Sequence, residues 1–309
     1  MTARTGFHPF RSEKAQQAYL ANYDLRASEW PVAAEARHVE TSDGQTYVRI
    51  SGPADAPPLV LLSGVNASSL MWLPNIADLS QNHRVYAVDN IYDFGRSVWR
   101  RPMLTASDLV NWLDELFTQL GLGQNINLMG ISYGGWIASQ YGLQYPGRLN
   151  KLVLLAPVLT VLPVRTAFIL RALLCMIPHR RFTKGFIYWL AADAVANHGL
   201  SHQWVDAMVD DGYLGLRSFK PKRPVMPTIL SDEELRALPV ATLYLVGENE
   251  KLNSARDAVR RLNRVAPQIA TELVANAGHD LTISKLAEVN AKVLAFLGKT
   301  PVQTASLLS

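Results

Sequence analysis

Cysteine is almost absent from this chain of 309 residues: the single one, Cys175, excludes an internal disulfide. It lies in the apolar run 167–177, which predicts a buried structural thiol rather than a reactive one. Long apolar runs are missing as well. The best candidate for a membrane span, residues 166–177, is too short and is interrupted by Arg171. Residues 1–13 lack the apolar core of a signal peptide, so the expectation is a cytoplasmic protein with no membrane insertion. Charge of one sign is not concentrated anywhere. The net charge is +4, yet basic residues cluster only at Arg100-Arg101, 179–181 and 220–223, and Pro221 and Pro224 interrupt or end the last group. These groups read as solvated loops. Without a continuous basic face, nucleic acid is not an expected partner. No metal, nucleotide or flavin motif appears, so no cofactor is expected. His198 and His202 have the i, i+4 spacing of metal ligands but no third ligand, and read as an exposed pair.

What is present is enough apolar material (49% of residues) for a sizeable core, arranged in a regular order. An N-terminal amphipathic helix is expected over 7–30, ending at Trp30-Pro31. A hairpin follows, 38–41 with 47–50, turned at Asp43-Gly44. Six short runs without polar alternation come next: 58–62, 85–88, 126–129, 152–155, 241–246 and 271–274. Strands of a parallel sheet read this way when both faces are covered. The helices between them are punctuated. Thr105 and Asp108 form a capping-box pattern before a helix that Gly121 stops, and Ser284 is expected to open a last helix ending at Gly298. The alternation fails once, between Pro157 and about Leu235, where only helical patterns occur. The reading is therefore an α/β fold, a mostly parallel sheet with helices on both faces. Its core comprises residues 1–157 and 236–309, and 158–235 is a helical cap inserted where such sheets keep their ligand crevice.

Gly130-Ile131-Ser132-Tyr133-Gly134 sits where an apolar strand pattern stops and a helical one starts. A serine in so sharp a turn adopts a strained backbone and needs glycine on both sides. In return its hydroxyl stands clear of the sheet. A serine nucleophile also needs a base, an acid to orient it, and donors for an oxyanion. His279, after the last strand in Asn276-Ala277-Gly278-His279, is the expected base. The acid should follow strand 241–246, where Glu250 is the first choice and Glu248 the alternative. The N–H of Tyr133 is one expected oxyanion donor. The other comes from the loop Ser63-Gly64-Val65-Asn66, with Val65 N–H favoured. Aromatic and aliphatic residues of the insertion, among them Phe168, Leu173, Phe186, Tyr188, Trp189, Trp204 and Tyr213, suit an apolar pocket, although each alone reads more readily as packing. Trp136 reads as packing too.

With these residues in place the chain resembles the α/β-hydrolase family, most closely bacterial carboxylesterases of the naproxen-esterase type. The resemblance rests on GPADAPPLVLL at 52–62, MWLPNIAD at 71–78, YAVD at 86–89, GISYGG at 130–135, GENE at 247–250 and NAGH at 276–279. It implies Ser132 as nucleophile, Glu250 as acid and His279 as base, acting on a small-molecule ester. One departure stands out: the family usually has His-Gly after the first parallel strand, and here the pair is Ser63-Gly64. The turn Tyr92-Asp93-Phe94-Gly95-Arg96-Ser97 also differs in length from the common one, and no function attaches to it at this stage. The same triad would serve a thioesterase, a lactonase or a carbon–carbon hydrolase. A ligand receptor with slow turnover, or an acyltransferase or inactive interaction module, would share the fold.

Overall fold

The six apolar runs become neighbouring strands of one sheet. The computed structural model describes residues 9–238 and 241–298. Its strands are β1 (Ala34–Thr41), β2 (Gly44–Ser51), β3 (Pro58–Leu62), β4 (Arg84–Val88), β5 (Val98–Trp99), β6 (Ile126–Ile131), β7 (Leu149–Leu155), β8 (Ala241–Gly247) and β9 (Ala270–Val274). They run in the order β1-β2-β4-β3-β6-β7-β8-β9, with β5 paired to β2. From β4 to β9 every pairing is parallel, while β1, β2 and β5 pair antiparallel. Every residue of β6 is buried, as the lack of polar alternation requires. At the edge that logic lapses: β9 buries only Val274, because no further strand covers it. The hairpin turn is Ser42-Asp43, one residue earlier than the sequence suggested. Gly44 (φ +143) already belongs to β2, where a Cβ would lie 2.1 Å from Val98 O.

The helices, in chain order, are α1 (Glu13–Ala27), α2 (Ile76–Leu79), α3 (Ala106–Gln119), α4 (Tyr133–Gln144), α5 (Thr166–Leu174), α6 (Arg180–Leu190), α7 (Ala192–Ala196), α8 (Gly199–Ser218), α9 (Asp232–Ala237), α10 (Ala255–Val265), α11 (Leu281–Ser284) and α12 (Leu286–Gly298). Helix α1 is shorter than the 7–30 pattern, and residues 7 and 8 lie outside the described residues. Its start is fixed by Ser12, whose Oγ accepts Ala15 N–H. It buries only Tyr19 and Tyr23, so the apolar side of the expected amphipathic helix is a pair of aromatic rings. The Thr105–Asp108 capping box forms in both directions. Gly121 ends that helix at φ +71, the left-handed conformation glycine tolerates. Ser284 closes the short α11 instead of opening α12, because Lys285 breaks the helix between them.

Helices α5 to α9 occupy the stretch between β7 and β8, and no strand interrupts them among the described residues. One sequence expectation fails here. Lys222 is no solvated loop residue: its side chain is 13% exposed, 3.4 Å from the buried carboxylate of Asp93. Its ammonium lies over the rings of Tyr92, Trp99 and Phe94 at 5.1, 5.2 and 5.7 Å. Sequence proximity to Lys220 and Arg223 suggested a charge run, whereas the fold turns this one side chain inward. No described helix is long and apolar enough to cross a membrane.

Candidate active site

Ser132 stands between β6 and α4 at φ 53, ψ −115, a conformation that non-glycine residues rarely adopt. The turn is held on both sides. Ser132 N–H donates to Leu155 O at 2.9 Å, and its carbonyl accepts Trp136 N–H at 3.0 Å and Val158 N–H at 3.1 Å. A Cβ on Gly130 would lie 2.2 Å from Gly134 O, as a steric conflict between the two flanks predicts. A Cβ on Gly134 would meet different atoms, Leu62 O at 2.4 Å and Ser63 O at 2.5 Å. The second glycine therefore lets the turn press against the end of β3.

His279 and Glu250 are brought together by two loops that interlock. Gly247 is required between them, since a Cβ there would sit 2.3 Å from Ala277 O. Across this close approach Asn249 N–H donates to Ala277 O at 2.8 Å and Glu248 N–H to Val274 O at 2.9 Å. The result places His279 Nδ1 2.9 Å from Glu250 Oε2, with Glu250 5% exposed. A carboxylate only accepts, so Nδ1 carries the hydrogen and Nε2 is left as the acceptor. Glu250 Oε1 accepts Leu252 N–H at 2.9 Å, which fixes the carboxylate. The alternative acid, Glu248, points to the surface and pairs with Arg256.

Burial acts against charge on both partners, and their interaction outweighs it. For His279, desolvation disfavours the imidazolium, but the charge and hydrogen bond of Glu250, with Asp280 nearby, raise its pKa above the ordinary 6.5. For Glu250, desolvation is overcome by His279 and by the N–H groups of Leu252 and Lys251, and its pKa falls below 4.5. Ser132 and His279 line one cavity of about 280 Å³. Among the described residues, no hydrogen bond joins the serine hydroxyl to the imidazole in this conformation.

The loop after β3 reaches the same cavity. Ser63, standing where the family pattern has histidine, is fully buried, and Asn90 Nδ2 donates to its carbonyl at 3.1 Å and its Oγ at 3.3 Å. Gly64 N–H points at Met71 Sδ, 3.2 Å away, and Gly64 borders the cavity. A Cβ on Gly64 would meet Ser132 Cβ at 3.6 Å, an ordinary contact, so the space it leaves belongs to the cavity and not to protein packing. Asn66 (φ 58) donates its N–H to Asp93 Oδ1 at 2.9 Å, and Ser69 N–H donates to Asp89 Oδ1 at 2.7 Å. Val65 N–H has no acceptor among the described residues, and Tyr133 N–H, first in α4, has no intrahelical one.

Sequence reasoning missed this bracing. Asp89, Asn90 and Asp93 all belong to the turn after β4, and each holds one point of the 63–69 loop. The available signal was three short polar side chains in five residues directly after a buried strand. Three of the seven aromatic and aliphatic residues named above, Phe168, Phe186 and Trp204, line the cavity, whereas Leu173 is 56% exposed on the outer side. Helix α1 supplies wall that was not anticipated, with Tyr19 and Tyr23 beside Asn22, whose amide donates to Asp211 at 2.7 Å. Cys175 is only half-buried and borders the cavity; burial still raises its thiol pKa to about 11, so it stays protonated. Trp136 is fully buried. His198 is exposed, but His202 is partly covered, its Nε2 3.0 Å from Tyr188 OH. No group of three metal-ligating side chains occurs among the described residues.

Comparison with known proteins gives a consistent picture. A model of the alpha/beta hydrolase family matches residues 59–292. A carboxylesterase described as uncharacterized, nap of Bacillus subtilis (strain 168), is 36% identical over 90% of this chain and 91% of its own length. Carboxylesterase YbfK of the same organism is 34% identical over 93% and 96%. The crystal structure of naproxen esterase from Bacillus subtilis superposes with a TM-score of 0.84 at 34% identity, covering 93% of this chain and all of that one.

Proposed function

Since this chain belongs to the alpha/beta hydrolase family, we propose that it is a serine carboxylesterase acting through Ser132, His279 and Glu250. The observation that carries this reading is the 2.9 Å contact of His279 Nδ1 with Glu250, on a histidine that shares its cavity with a serine in a strained turn. Neutral His279 takes the Ser132 proton on Nε2 as the serine oxygen attacks the ester carbonyl. Glu250 stabilises the imidazolium. The N–H groups of Tyr133 and Val65, free of other acceptors, receive the oxyanion, each worth on the order of 3 kcal/mol. As the C–O bond breaks, Nε2 returns its proton to the departing alkoxide and an acyl-enzyme remains. Water then attacks with His279 as base again, releasing the acid and restoring the serine.

The substrate we infer is a small-to-medium ester with an apolar or aromatic group. A cavity of about 280 Å³ walled by Phe168, Phe186 and Trp204 supports this, and residues 158–235 then serve as its cap. A panel of p-nitrophenyl esters of rising acyl length, with an acyl thioester and a lactone alongside, tests the reading. Oxygen esters should turn over with an initial burst of nitrophenol, and Ser132→Ala should abolish it. Faster cleavage of the thioester or lactone would assign a different bond, and tight binding without turnover a receptor.

A further inference from the structure

The segment that follows α8 is linked to both residues whose N–H groups are assigned to the oxyanion, to Val65 by way of Asp93 and to Tyr133 through its hydroxyl. Lys222 Nζ donates to Tyr92 O and lies 3.4 Å from Asp93 Oδ1. That same oxygen accepts the N–H of Asn66 at 2.9 Å and of Phe94 at 2.9 Å. Asn66 immediately follows Val65 and sits at φ 58, a conformation that has to be held. Three residues beyond Lys222, Val225 O accepts the hydroxyl of Tyr133 at 2.8 Å, and Tyr133 carries the other N–H.

Packing alone does not call for a lysine here. The cage of Tyr92, Phe94 and Trp99 around its side chain would accept an apolar residue of equal length. A buried ion pair also seldom adds net stability over such a residue. Burial pushes the pKa of Asp93, 2% exposed, above its ordinary value, and what the ammonium supplies is a charge that opposes this and holds the carboxyl oxygen that faces the loop.

We infer that Lys222 is a positioning residue: through Asp93 it fixes the 64–66 backbone so that Val65 N–H stays aimed at the reacting oxygen. With Val225 on Tyr133, it makes the alignment of both donors depend on how the cap segment is seated. The kinetic consequence rests on the esterase reading above, whereas the mechanical link does not.

The test compares Lys222→Met, Lys222→Arg and Asp93→Asn with wild type by two measurements: hydrogen–deuterium exchange over residues 63–69, and kcat and KM on a short p-nitrophenyl ester. Lys222→Met should speed exchange across the loop and lower kcat by about ten- to a hundredfold, the scale of a misplaced catalytic group, with KM within about twofold. Affinity for a trifluoromethyl ketone, which mimics the tetrahedral adduct, should fall in proportion to kcat. Lys222→Arg, which keeps the charge, should recover part of both. Unchanged exchange with unchanged kcat would overturn the inference, and so would a rise in KM alone. Faster loop exchange in a protein that cleaves no ester would keep the link and remove the esterase reading. If the methionine variant does not fold, Asp93→Asn, which keeps the shape and an acceptor oxygen, must show the same pattern at smaller size.

Discussion

The serine turn and helices α5 and α6 of the insertion face the same cavity, yet they are built to opposite specifications. Nine of the residues of α4, which begins at the turn, are buried, whereas α5 of the insertion buries none. At the turn an added methyl would collide with backbone at 2.2 Å, while Gly185 in α6 has open space within 4 Å. On the outer side of α5 and just after it, Leu170, Leu174 and Met176 are 58, 46 and 78% exposed. The proposed chemistry is therefore mounted on the rigid half, and the part of the cavity wall supplied by α5 and α6 on the compliant half. Such a division lets α5 and α6 vary without disturbing the reacting atoms, whereas the 222–225 segment of the same insertion is tied to them through Asp93 and Tyr133.

If that division is right, substitutions in α5 and α6 should separate cleanly from those at the serine turn and its triad. The largest effect belongs to Ser132→Ala, expected to lower kcat by at least about 10⁴-fold with the fold intact, measured by ester turnover and circular dichroism. Glu250→Gln comes next, at about 10³- to 10⁴-fold in kcat. It should also move the pH profile, with the following sign. The base must be neutral, and Glu250 raises the His279 pKa, so the wild-type kcat/KM should climb through a limb above pH 6.5. Removing the carboxylate's charge removes the main raising influence and leaves burial, which lowers the pKa, opposed by Asp280, so the limb should shift to lower pH. A limb that stays in place would assign it to another group.

Stability separates the regions in the same way. Gly130→Ala should cost about 3 kcal/mol or more in urea denaturation, because the methyl meets Gly134 O and the turn cannot yield. Phe186→Ala, in the cavity wall, should change kcat/KM for a bulky aromatic ester by about ten- to a hundredfold and for an acetyl ester by much less. Gly185→Ala should be the mildest, neutral or stabilising by up to about 1 kcal/mol, because it shortens the list of unfolded conformations without a clash. A large loss of stability from Gly185→Ala, or a loss from Phe186→Ala that is as large for the acetyl ester as for the bulky one, would break the contrast.

Much of the rigid half was legible in the sequence, and the reason is physical. Buried parallel strands must be apolar on both faces, a strained turn must have glycines, and helix ends must satisfy their N–H groups. Gly130, Ser132, Gly134 and the Thr105–Asp108 box therefore carry their structure in their residue types. The expected acid was narrowed to Glu250 or Glu248 by its strand, but only packing separates the two candidates: one is 5% exposed against His279, the other pairs with Arg256 at the surface. Long-range polar contacts left no local pattern. Nothing near Lys222 in sequence says that it meets Asp93, 129 residues away, and nothing in Tyr19 or Tyr23 says that α1 walls the cavity. Ser284 misled because a serine can cap a helix start or sit in a last turn, and only the backbone at Lys285 decides.

The most direct test of the central claim is covalent: react the protein with a fluorophosphonate and locate the adduct by peptide mass mapping. One phosphonyl group per chain on Ser132, absent in Ser132→Ala and greatly slowed in His279→Ala, is the expected result. An adduct on a different residue, or labelling that persists at full rate without His279, would contradict a serine activated by that imidazole.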